Sequence, residues 1–141
     1  MLLSSEHDPL IEWRPGVRTR LHAAGVTGAQ QLCVMEQLCL PGTGAPLHRH
    51  DDAEEVIVVL AGRARVRVED EEAELGAVET VVIPPGVRHS FTNIGDDVLH
   101  TLATFSSATP TTVYEGEPGT LEIGGTRTRR RDAHRAYVDD A

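Results

Sequence analysis

Apolar and polar positions alternate with a period of two through most of this chain. A helical period is not sustained over 11 residues anywhere except weakly at the C-terminal end. "QLCVMEQLCL" (31–40) sets Leu32, Val34, Leu38 and Leu40 against Cys33, Met35, Gln37 and Cys39. "EVIVVL" (55–60) is β-branched, "RARVRV" (63–68) alternates strictly, and "TVVIP" (80–84), "RHSFTN" (88–93) and "VLHTLATF" (98–105) follow. Successive residues of a strand face opposite sides, so each alternating run offers one face for burial. Between the runs stand "PGTGAP", "AG", "EDEEAELG", "PPGV" and "NIGDD", which read as turns. Short strands recurring at roughly 8–12-residue spacing predict an all-β sandwich or barrel with little helix.

The alternation loosens at both ends. "EWRPGV" leads towards an edge strand, and the chain divides into an N-terminal arm with that strand (1–28), a barrel (29–108) and a partly flexible C-terminal extension (109–141). The extension contains the basic run Arg127–Arg131, which reads as a solvated tail.

Composition narrows the picture. At 141 residues one core is the expectation. The chain has 13 basic against 22 acidic residues, a formal net charge of −9, which argues against nucleic acid or an anionic membrane as a partner. Every basic residue is arginine. Without lysine, Schiff-base catalysis and a Walker-type phosphate loop are excluded, and the bias hints at a high-GC bacterial genome. No basic segment followed by an apolar stretch opens the sequence, and no run approaches a membrane span. Cys33 and Cys39 are the only cysteines. On one strand they stand about 20 Å apart, too far to bridge. The expectation is a cytoplasmic protein with reduced thiols.

Candidate chemistry gathers in "HRHDDAEE" (48–55). His48 and His50 project to one side of a strand and Arg49 to the other. Glu55 lies at an odd offset, so "DDAE" must turn or bulge to reset the phase. Glu55 then shares a face with Ile57 and Val59. Far along the chain, "IPPGVRHSFTN" places His89 after a proline–glycine turn, on the same face as Phe91 and Asn93. Any one of these histidines alone reads as a surface or hydrogen-bonded residue, and His7, His22, His100 and His134 are read so. Asp51, Asp52 and Glu54 read as turn acids. Jointly, His48, His50, Glu55 and His89 form a nitrogen–oxygen set that can hold one divalent ion with two octahedral positions open. Fe, Mn, Ni or Co suits such a set, and Zn prefers four-coordinate sites.

The spacing also resembles a known family. Gly42, five residues, His48-x-His50, four residues, Glu55, six residues and Gly62 match the first motif of the cupin superfamily; Pro84-x-Gly86, two residues, His89, three residues and Asn93 match the second. The glycine expected six residues before Pro84 is replaced by Val78, with Gly76 nearby. The resemblance spans about residues 30 to 106. It implies a single-domain jelly-roll barrel (double-stranded β-helix) with a metal at its centre on those four residues. It leaves the reaction open among dioxygenases, decarboxylases, isomerases, polyketide-type cyclases and metal-free sugar sensors. The intact ligand set argues against the last.

Strand parity proposes a substrate pocket walled by Cys33, Met35, Gln37, Ile57, Val59, Phe91 and Asn93, with the aliphatic face of 31–40 turned to packing between the sheets. Cys33 and Cys39 also read as plain apolar fillers. With no nucleophile or acid–base dyad in view, the metal carries any chemistry. The chain has five aromatic residues (Trp 1, Tyr 2, Phe 2), poor provision for a sugar. The expected function is therefore a metal-dependent enzyme, an oxygenase acting on an enolic or phenolic small molecule. A non-redox cyclase or isomerase of polyketide type and a metal-containing ligand-binding module are the alternatives. A homodimer is expected, formed by "WRPGVRTRLHA" (13–23) pairing with a neighbour's edge strand.

Overall fold

The computed structural model describes residues 10–125; the Arg127–Arg131 run, His7 and His134 lie outside them. The described residues form twelve strands: β1 (Ile11–Arg14), β2 (Val17–Ala23), β3 (Cys33–Cys39), β4 (Gly44–Arg49), β5 (Glu55–Ala61), β6 (Ala64–Val68), β7 (Glu71–Leu75), β8 (Thr80–Ile83), β9 (His89–Asn93), β10 (Leu99–Phe105), β11 (Thr111–Tyr114) and β12 (Leu121–Glu122). One 3₁₀ turn, Gly25–Thr27, interrupts them. Two antiparallel six-stranded sheets result, in the orders β1-β2-β3-β10-β5-β8 and β12-β11-β4-β9-β6-β7. This is the all-β architecture that the alternation predicts and the jelly roll that the resemblance implies. No helix among the described residues is long and apolar enough to cross a membrane.

The inner faces supply one core. Cys33, Met35, Gln37 and Cys39 of β3, Ile57 and Val59 of β5, and Leu99, Ala103 and Phe105 of β10 are buried against Val66 and Phe91 of the other sheet. The aliphatic face of 31–40 does not pack between the sheets. It points outward, with Leu32 and Leu40 each 51% exposed. A two-sheet barrel has a single interior, so the residues facing the site and the residues facing the core are the same set, and the opposite face of β3 is left to the exterior.

The sheets extend past 29–108 at both ends. Segment 13–23 pairs within its own chain, as β2 runs against β3 from Val17–Cys39 to Ala23–Val34 and β1 lies outside it. β11 pairs with β4 and β12, and Tyr114, Leu121 and Ile123 are buried. Two stretches read as turns are partly strand. "PGTGAP" enters β4, whose backbone bonds to β9 and β11. "EDEEAELG" contains β7, an exposed edge paired with β6 through Arg65–Glu74 and Arg67–Glu72. Acidic side chains mask strand propensity in such a run, and they also keep an open edge from aggregating.

At Gly44 a side chain is forbidden: an added Cβ would collide with the Phe91 carbonyl across the β4–β9 pair. Val78 stands where the motif glycine was expected, and its φ of +63° is the left-handed conformation that glycine adopts freely.

Candidate metal centre

The chain brings its four donors together by crossing between sheets. His48 lies on β4 and His50 just beyond it. Residues 51–54 carry the chain over to the facing sheet, where Glu55 opens β5. The phase reset expected from "DDAE" is this crossing. His89 opens β9 and is the register partner of His48. Two imidazoles on one sheet and a third just past its edge thus face a carboxylate on the other, and all four residues are buried. One ligand atom from each lies within 4.8 Å of the others. The His48 and His89 ring centres are 4.1 Å apart.

Each imidazole is tied back through Nδ1. His48 Nδ1 is 2.6 Å from the Pro46 carbonyl, His50 Nδ1 is 2.9 Å from that of Thr111, and His89 Nδ1 is 3.0 Å from that of Val87. A carbonyl only accepts, so each Nδ1 carries the proton and donates it, which leaves Nε2 with its lone pair. Glu55 Oε1 lies 2.9 Å from His89 Nε2 and 3.2 Å from His50 Nε2. The second contact falls outside hydrogen-bond geometry, and His50 Nε2 is buried without a hydrogen-bond partner. Lone pairs crowded against a carboxylate in this way repel one another. A positive charge resolves the conflict, either a proton on an imidazole or a cation shared by the set. Three nitrogens converging on one carboxylate, with their far sides fixed by backbone carbonyls, fit a divalent metal site.

The electrostatics agree with that reading. Burial, followed by the neighbouring His89 and His50, pushes His48 down to about 3, so its imidazole is neutral and ready to ligate. Burial alone would lower His50 as well, but the Glu55 carboxylate outweighs it and raises that group. Burial would raise Glu55, yet His50 and His89 hold it well below the usual carboxylate range. The acid is ionised at neutral pH.

Beside the donors lies a chamber of about 20 Å³, room for about one water. Of the residues expected to wall it, Met35, Gln37 and Phe91 do so. Cys33, Ile57 and Val59 are buried in the core away from its wall. Asn93 is committed to structure: its Nδ2 donates to the carbonyls of Cys39 and Asp97, and its Oδ1 accepts from the Gly95 amide. Burial pushes the thiols of Cys33 and Cys39 up to about 12, with Glu55 adding to the effect at Cys33. They are protonated fillers rather than nucleophiles.

The rest of the wall is Ala45 with Trp13, Phe105, Tyr114 and Ile123. Three of these, Trp13, Tyr114 and Ile123, come from the segments set apart as arm and extension. Their one sequence signal is an aromatic or large aliphatic residue in an otherwise polar stretch. Of the remaining histidines, His22 and His100 lie on the outer face of the first sheet, 2.9 and 2.6 Å from the Glu36 carboxylate.

Comparison with known proteins agrees with this architecture. The cupin domain model matches residues 35–105. An uncharacterised protein of Methanocaldococcus jannaschii is 31% identical over 86 residues, 61% of this chain and 68% of that protein. Polyketide synthase CurC of Streptomyces cyaneus is 32% identical over 79 residues, 56% of this chain and 49% of that protein. Among solved structures, the oxalate decarboxylase of Lactobacillus farciminis superposes with a TM-score of 0.69 at 23% identity, over 76% of this chain and 33% of its own. KdgF from a Halomonas species superposes at 0.64 and 19%, over 74% and 92%. The chain thus spans about half of CurC and a third of the decarboxylase, whereas KdgF is matched almost throughout. Sequence motifs, two-sheet topology and the convergent donor set lead to one assignment: the chain belongs to the cupin family.

Proposed function

We propose that this chain is a metal-dependent enzyme of small-molecule metabolism, working in the cytoplasm as an oxygenase on an enolic or phenolic substrate. The observation that carries the reading is the buried set His48, His50, Glu55 and His89, with each Nδ1 anchored and His50 Nε2 unbonded. A divalent first-row ion on these four residues would keep open positions for oxygen ligands and supply Lewis acidity. The chain's own part is to hold three imidazoles in one tautomer and to keep Glu55 ionised between two of them. Trp13, Phe91, Phe105 and Tyr114 give the chamber an aromatic wall, and Gln37 places an amide in it. A non-redox cyclase or isomerase is the second reading. It is favoured by the likeness to a protein named as a polyketide synthase and by the lack of a nucleophile or further acid–base dyad in the chamber wall.

Two measurements test this. Protein purified without a tag should contain close to one equivalent of a divalent metal, and the double variant His48→Ala/His50→Ala should lose it. Metal retained in full by that variant would refute the site. Protein loaded anaerobically with Fe(II) should then consume O₂ with members of a flavonol, diketone and enol panel, while zinc-loaded protein should not. Turnover with zinc and no O₂ uptake would replace the oxygenase with the cyclase or isomerase. Binding without turnover would identify a ligand-binding module.

A further inference from the structure

An open groove of about 360 Å³ runs beside the metal chamber, and Ala45 and Phe91 border both spaces. The groove is otherwise walled by Arg14, Pro15, Thr92 and the small residues from Gly42 to Pro46. Arg14 is its one charged residue, and the chamber wall contains no arginine. The Arg14 guanidinium carbon lies 4.9 Å from the ring centre of Trp13 and 4.4 Å from that of Tyr114. Those two rings line the chamber. A cation seated against two aromatic side chains is held in place without using its N–H donors. The Glu117 carboxylate is 3.6 Å from the guanidinium, beyond hydrogen-bond reach. Arg14 Nε is buried and makes no hydrogen bond among the described residues.

We propose that Arg14 anchors the carboxylate of the substrate. The body of the molecule lies in the groove, and its oxygenated end passes Ala45 and Phe91 towards the metal ligands. This names the substrate class, an enolisable carboxylic acid of the β-keto acid type, and for its chemistry it rests on the function proposed above. Three features support it. The chamber has room for about one water, so most of any substrate must lie outside it. A planar guanidinium fork matches a carboxylate through two parallel hydrogen bonds. The aromatic seat fixes the cation beforehand, so little ordering remains to be done on binding.

Trp13 is the only tryptophan of the chain and touches Arg14, so its fluorescence reports directly on this position. Metal-replete protein should be titrated with acetoacetate and with pentane-2,4-dione, which share a size and an enolisable centre and differ in the carboxylate. Wild type should bind acetoacetate about tenfold tighter. Arg14→Gln should bring the two affinities to within about twofold, and Arg14→Lys, which keeps charge and stem, should keep part of the preference. Elemental analysis should find the same metal content in all three proteins. That measurement separates the two proposals, because absent metal defeats the enzyme reading while the carboxylate preference reports on Arg14. Equal affinity of wild type for both probes, or a preference that survives in Arg14→Gln, would overturn the assignment. So would the absence of any fluorescence or calorimetric response to acetoacetate up to about 50 mM.

Discussion

Val78 is 81% exposed and takes φ of +63°, a conformation in which a β-branched side chain crowds its own backbone. The surrounding turn over-determines it: the Val78 amide donates to the Val59 carbonyl at 2.7 Å, and the Glu79 amide to that of Gly76 at 3.1 Å. Replacement by glycine removes the strain at the cost of a looser unfolded chain. Val78→Gly should therefore raise the unfolding free energy by about 1 kcal/mol, read from the denaturant midpoint at constant m-value. A lower midpoint would show that the turn is unstrained. This position also shows what single residues disclose. The motif glycine was visibly missing from the sequence, yet the backbone path it serves is retained. The four donors were legible for a related reason, since strand parity and spacing are local properties. Trp13, Phe105, Tyr114 and Ile123 were not, because whether they reach the chamber depends on which strands of the chain ends join which sheet.

Between elements, Glu36 ties three neighbouring strands together. From β3 it accepts hydrogen bonds from His22 of β2 and His100 of β10, and Arg20 of β2 stands 3.9 Å away. Burial would raise this carboxyl, but the two histidines outweigh it and hold the group below its ordinary value of 4.5. A lowered folded value means stability that is present above pH 4.5 and disappears as the pH falls through that lowered value. Glu36→Gln should thus be less stable than wild type at pH 7 by on the order of 1 kcal/mol, discounted for solvent screening. The gap should close in acid. A gap constant from pH 7 to pH 3 would assign the loss to packing instead. Elements were legible where alternation was clean, as in β3, β5, β6 and β10. They were obscured where a glycine-rich or acidic run takes its order from partners: β4 from β9 and β11, and β7 from β6.

For the molecule as a whole, the two outer faces differ. On the second sheet, β6 and β7 turn out Arg65, Glu72 and Glu74. On the first, the register aligns Val34, Thr104, Val56 and Val82 in one row and Glu36, Leu102, Val58 and Thr80 in the next. Leu32, Leu40, Leu60, Val82 and Val98, five of the six large apolar residues most exposed among the described ones, follow this outward parity. Six strands of up to seven residues present roughly 650 Å² per face. Two copies back to back would cover about 1,300 Å², within the range of specific interfaces. The homodimer expected from the sequence would therefore form through this face, and not through segment 13–23, most of which β2 commits to its own sheet. Light scattering at micromolar concentration should give twice the chain mass, and Leu102→Glu should give the monomer with metal content unchanged. A monomeric wild type, or a dimer indifferent to Leu102→Glu, would exclude this interface. The route of the chain has one more consequence. All four ligands lie between residues 48 and 89, whereas the wall is completed by Trp13 from one side and by residues 105–123 from the other. As the chain emerges from its N-terminal end, the donors are available before the last wall strands are made, and β11 closes over them afterwards. An ion captured early would then be held while the last support of its ligands is still to form, since the Thr111 carbonyl that accepts from His50 Nδ1 belongs to β11. The metal content of the mature protein would record which ion was at hand during synthesis as much as which one the ligands prefer.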